Sequence, residues 1–76
     1  MDDKSYTAVA ADQHSISIYE VGTGRYDGFI FVTSGEITGS PIVTGNNVTI
    51  AFNEGGTNYM STYTLPGRQF VRRIQL

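Results

Sequence analysis

The sequence predicts an all-β chain built from two antiparallel sheets, one of three strands and one of four. Three observations carry that prediction. Short runs of alternating apolar and polar residues are separated by polar, glycine-containing turns, and no stretch has the period of an amphipathic helix. The chain also repeats: a shift of 44 positions lays Ile16–Val32 on Met60–Leu76 without a gap. Ser17 then falls on Ser61, Tyr19 on Tyr63, Val21 on Leu65, Tyr26 on Phe70, Ile30 on Ile74 and Val32 on Leu76, with the turn formers Gly22 and Pro66 aligned. Repeats of roughly this length mark units that bury their faces against neighbours. Finally, the 76 residues contain no cysteine, so a disulfide or thiolate metal site cannot staple the fold.

Taken in order, Tyr6–Ala11 reads as a strand of small residues, turned by Asp12-Gln13-His14 into Ser15–Val21. In that second strand Ile16 and Ile18 share one face while Ser17 and Tyr19 share the other. Gly22-Thr23-Gly24 turns the chain into Arg25–Thr33, whose end is apolar on both faces: Ile30 and Val32 alternate with Phe29 and Phe31. Such a pattern predicts a central strand. Ser34-Gly35-Glu36 and Thr38-Gly39 interrupt the alternation. A short strand over 40–44 follows, with Pro41 near its start, where a missing N–H does least harm. Gly45-Asn46-Asn47 is a hairpin turn, because glycine and asparagine tolerate positive φ. Val48–Phe52 places Val48, Ile50 and Phe52 on one face. Asn53-Glu54-Gly55-Gly56 then turns into Thr57–Leu65, and Pro66-Gly67 into a last strand, Arg68–Leu76.

These elements divide a single domain, 1–76, into repeat units at 5–35 and 39–76. The second unit has four strands and the first three, and Ala10 matches Phe52 if the second unit's turn is two residues longer. Four-stranded antiparallel meanders repeated at about this length are the pattern of blade-like sheets, so a propeller-like arrangement or a small β-sandwich is expected. Two units are too few to close a large ring, which makes association with other chains the leading expectation.

Composition narrows the function classes. With 39% hydrophobic residues the chain is neither a disordered tail nor a membrane protein, and a net charge of −2 speaks against nucleic acid. The start Met1-Asp2-Asp3-Lys4 is charged and no long apolar run follows, so no secretory leader is expected. Asn47-Val48-Thr49 has the form of a glycosylation sequon but reads as turn followed by strand. Charge is divided unevenly. Residues 1–38 carry six acidic side chains against Lys4 and Arg25, whereas residues 39–76 carry Arg68, Arg72 and Arg73 against Glu54. Opposite signs at the two ends suit head-to-tail packing. The candidate partner interface is therefore Asp2 and Asp3 at one end and Arg68, Arg72 and Arg73 at the other. The arginines have a second reading, as charges guarding an edge strand against unwanted pairing.

No catalytic, cofactor or metal site is expected. His14 is the only histidine, so neither a triad nor a multi-histidine site can form within one chain, and Asp12 beside it reads as part of a polar turn. Gly22-Thr23-Gly24-Arg25 lacks the following helix that a phosphate loop requires. Glu20 and Asp27 sit on adjoining strands near Arg25, where a surface ion pair is expected rather than a glycosidase pair. Five tyrosines (Tyr6, Tyr19, Tyr26, Tyr59 and Tyr63) have two readings, a sugar-binding face or packing between sheets.

Residues 39–50, Gly39-Ser40-Pro41-Ile42-Val43-Thr44-Gly45-Asn46-Asn47-Val48-Thr49-Ile50, resemble the opening of blades in pyrroloquinoline-quinone-type and related β-propellers. Ile18-Tyr19-Glu20-Val21-Gly22-Thr23-Gly24-Arg25 resembles their turn between third and fourth strands, and Tyr63-Thr64-Leu65-Pro66-Gly67-Arg68 is a looser copy. The chain has no tryptophan, on which quinoprotein blades depend for packing, and two units cannot ring a cofactor, so no quinone site is carried over. Asp12-Gln13-His14-Ser15 and Ile37-Thr38-Gly39-Ser40-Pro41-Ile42-Val43 resemble short tailed-phage proteins with the same layout. That resemblance implies a non-enzymatic structural protein of a bacteriophage virion, made in the host cytoplasm. It would decorate the capsid or belong to the tail, and bind other virion proteins or copies of itself. The alternative is a carbohydrate-binding two-blade lectin that closes as a trimer.

Overall fold

The structure is a computed structural model that describes residues 5–32 and 35–76. It is all-β, with eight strands and no helix among the described residues. The first sheet is a three-stranded antiparallel meander of β1 (Tyr6–Ala10), β2 (Ser15–Glu20) and β3 (Tyr26–Phe31), with β2 in the centre. The second is five-stranded: β4 (Glu36–Ile37), β5 (Ile42–Thr44), β6 (Asn47–Glu54), β7 (Thr57–Thr64) and β8 (Phe70–Gln75).

Two short strands share one edge of that second sheet. β5 pairs with residues 47–49 of β6 and β4 with Phe52 and Asn53, while the chain between them leaves the ladder at Gly39, Ser40 and Pro41. The expectation of four strands is thus corrected to five, because Glu36–Ile37 lies where an interruption was expected. A two-residue strand has no room to show alternation. It is held by its pairing with β6 and by the Ile37 amide, which donates to the Gln13 carbonyl at 2.7 Å.

The hairpins follow from local chemistry. Gly45, at φ 59°, takes the first of two turn positions between β5 and β6, and Asn47 already pairs with Thr44. At the β6–β7 turn, Asn53 accepts from the Gly56 amide through its side-chain oxygen, an Asx-type closure.

One hydrophobic cluster joins the sheets. The three-stranded sheet contributes Tyr6, Ile16, Ile18, Ile30 and Val32, and the five-stranded sheet contributes Val48, Ile50, Phe52 and Leu65. Ile16, Ile18, Val48 and Ile50 are completely buried. The face read as apolar on Val48, Ile50 and Phe52 is indeed the core face of β6.

Three sequence expectations change. β3 is an edge strand, not a central one, and its Phe29 and Phe31 point away from the core with more than half of their surface exposed. Ala10 pairs with Ile16 while Ala51 pairs with Met60, so Ala10 corresponds to Ala51 rather than Phe52. The last strand begins at Phe70, which leaves Arg68 in the preceding turn at φ 55°.

Positions 44 apart share detailed geometry. Asp27 is an extra residue in β3 opposite the Ile18/Tyr19 step, and Val71 is an extra residue in β8 opposite the Thr62/Tyr63 step. Tyr19 meets Tyr26 edge-to-face at 5.6 Å, and Tyr63 meets Phe70 in the same way at 5.8 Å. The Glu20 amide donates to Arg25 O and the Thr64 amide to Gln69 O; the Gly24 amide donates to Glu20 O and the Arg68 amide to Thr64 O. Gly24, at φ 73°, matches Arg68 as the left-handed residue of this turn.

Candidate functional site

Alternation along the strands fixes which side chains can reach a partner. With Ile16, Ile18 and Ile30 turned into the core, the opposite face of the first sheet presents Val9, Ser17, Tyr19, Tyr26, Phe29 and Phe31. Phe29 and Phe31 are 57% and 56% exposed. On the second sheet Val48, Ile50, Phe52 and Ser61 face the core. Its outer face therefore carries Ile42, Thr49, Ala51, Met60, Thr62 and Ile74. Leu76 follows Ile74 on that side and is highly exposed. Large apolar side chains are thus grouped on the outer sheet faces, whereas monomeric surfaces normally scatter them.

The arginines are not one patch. Arg68 crosses to the first sheet: its Nη1 donates to the Asp27 carbonyl at 3.1 Å and lies 3.6 Å from the Asp27 carboxylate. A Cβ on Gly28 would collide with this guanidinium, so the glycine, at φ 149°, leaves the space that the arginine fills. Asp27 thus pairs with Arg68 rather than with Arg25. Arg73 lies on the core-side face of β8, 3.2 Å from Glu54 and 4.5 Å above the Tyr59 ring. Arg72 points to the other face and makes no ion pair among the described residues. Asp2 and Asp3 lie outside the described residues.

The remaining candidates resolve into structure. Asp12 Oδ1 accepts from the His14 amide at 2.7 Å and from the Ser15 hydroxyl at 3.0 Å, the hydrogen bonds of a polar turn. Those bonds, the His14 amide foremost, hold the Asp12 carboxyl below its ordinary 3.8. Because the folded value is depressed, the stabilisation is complete above 3.8 and is lost as pH falls through the folded value. In an NMR titration the Asp12 carboxyl and His14 amide should shift together with a midpoint below 3.8; a midpoint at or above 3.8 would contradict the turn.

Tyr6 is buried and Tyr59 and Tyr63 pack against the core, so these three serve packing between sheets. Burial raises the Tyr63 phenol above its ordinary 10.0, which keeps it neutral. An open depression is lined by His14, Glu36, Thr38, Asn53 and Glu54, and the described residues hold no cluster of three metal-ligating side chains.

Sequence reasoning missed the role of Phe29 and Phe31. The sequence pattern of β3 is apolar on both faces, but only the face with Ile30 is covered by the core, and Phe29 and Phe31 stand on the exposed one. No protein-family model, curated protein or solved structure matches this chain.

Proposed function

We propose that this chain is a non-enzymatic structural protein that works by binding other protein chains. The observation that supports the reading is the outward face of the first sheet, where Tyr26, Phe29 and Phe31 stand exposed beside Val9 on a hydrogen-bonded sheet. Exposed aromatic rings on a preformed surface bind with little conformational cost, and they dominate the centres of protein interfaces. Asp12, His14 and Asn53 are engaged in hydrogen bonds that hold turns and neighbouring segments together, which suits a scaffold.

The expectation that the partners are virion proteins rests on the resemblance carried by residues 12–15 and 37–43. Under it the chain is a capsid-decoration or tail-accessory protein of a bacteriophage, joined to other virion proteins, to copies of itself, or to both. Mass spectrometry of purified particles should find the chain at a fixed copy number. Its presence in the lysate of infected cells but not in particles would overturn the virion reading.

A further inference from the structure

The two outward faces are the counterparts of the two faces that already meet inside the chain. Call face a the side that carries Ile16, Ile18, Ile30 and Val32 in the first sheet, and face b the side that carries Ser17, Tyr19 and Phe29. Forty-four positions on, face a of the second sheet carries Met60, Thr62, Ile74 and Leu76, and face b carries Ser61, Tyr63 and Arg73. Within the chain, face a of the first sheet packs on face b of the second. The contact is heterologous, since opposite faces of equivalent units meet. Face b of the first sheet and face a of the second are left over; the former exposes Val9, Tyr26, Phe29 and Phe31 and the latter Ile42, Ile74 and Leu76, while Phe70 is exposed at the start of β8 beside Tyr63. Val21 and Leu65 show the contrast: the same turn position is 54% exposed in the first unit and 4% exposed in the second.

We infer that the missing occupant is a second copy of this chain, with face a of its second sheet stacked on face b of the first sheet of its neighbour. The inference deepens the binding role proposed above and rests on it. Two further observations favour a copy over a foreign partner.

The first is size complementarity. Inside the chain Gly28 makes room for Arg68; their 44-residue counterparts are Arg72 and Gly24. At the junction between copies the large residue is therefore on the opposite side of the pair. Arg72 meets Gly24, around whose Cβ position no atom lies within 4 Å. The second is charge. The turn that carries Gly24 holds both Glu20 and Arg25 and is balanced in itself, but it belongs to the acid-rich half of the chain, whereas Arg72 belongs to the basic half. Contacts of this heterologous kind propagate, closing into a ring or extending as a stack according to the rotation per unit.

Two exposed positions allow a test without disturbing the core. Phe31→Asp blocks face b of the first sheet, and Ile74→Asp blocks face a of the second. Light scattering after size exclusion should show assemblies for the natural chain and single chains of 8.3 kDa for each variant alone. An equimolar mixture of the variants should give a two-chain species, because one intact face remains on each. Circular dichroism of each variant matching the natural chain ensures that loss of assembly is not loss of fold.

A natural chain that stays single, variants that assemble like it, or a mixture that stays single would each overturn the inference. A single chain that is nevertheless a fixed component of particles would remove self-stacking and leave the binding role. An assembling chain absent from particles would do the reverse.

Discussion

Replacing Ile18 by alanine is expected to cost about 2–5 kcal/mol, toward the upper end of that range. Ile18 is completely buried at the centre of the first sheet, and its cross-strand neighbours are Ala8 and Gly28. Neither has atoms that can move into the space left by the lost side chain, so a cavity persists in the cluster that Ile18 shares with Ile16 and Ile50. A chain of this length has a total stability of roughly 4–11 kcal/mol at the usual value per residue. The single substitution therefore removes a large share of it. Urea unfolding should show a much lower midpoint with an unchanged slope; a loss below about 1 kcal/mol would mean that the sheets do not pack through this side chain.

Gly35→Ala is also expected to be harmful, for a different reason. A Cβ at this position would lie 2.7 Å from the Asn53 carbonyl oxygen and 2.9 Å from Phe52 Cδ2. The carbonyl belongs to β6, which pairs along its length with β7 and cannot retreat without breaking the sheet. Moving Gly35 instead would strain the 2.8 Å contact between its carbonyl and His14 Nδ1. Overpacking of this kind costs about 1–3 kcal/mol. Gly39→Ala is the control: nothing lies within 4 Å of its Cβ position, and alanine should be neutral or slightly stabilising through the unfolded chain. Equal effects at both glycines would contradict the packing of the segment against β6.

Much of the fold was legible because its signals are local. Period-two alternation located the long strands, Gly45 and Asn46 marked a hairpin, and Val48, Ile50 and Phe52 named the core face of β6. What could not be read depends on distant partners. Glu36–Ile37 pairs only because β6 is there to receive it. Arg68 turns toward Asp27 because Gly28, forty residues earlier, leaves room. Phe29 and Phe31 looked like the mark of a central strand, since sequence alternation reports that two faces are apolar but not whether both are covered within one chain. The candidate surface was accordingly half visible: the basic half of the chain stood out by charge, whereas the aromatic face was taken for core.

The alignment of repeats and the exposure of Phe29, Phe31, Ile74 and Leu76 have one explanation if copies of the chain stack as its own two sheets do. The measurement that bears on this most directly is the solution mass of the natural chain over a range of concentrations, by light scattering. Head-to-tail stacking predicts a mass that rises in whole multiples of 8.3 kDa, or a single closed ring of more than two chains. A mass that stays at 8.3 kDa at every concentration, or that stops at two chains, would contradict it.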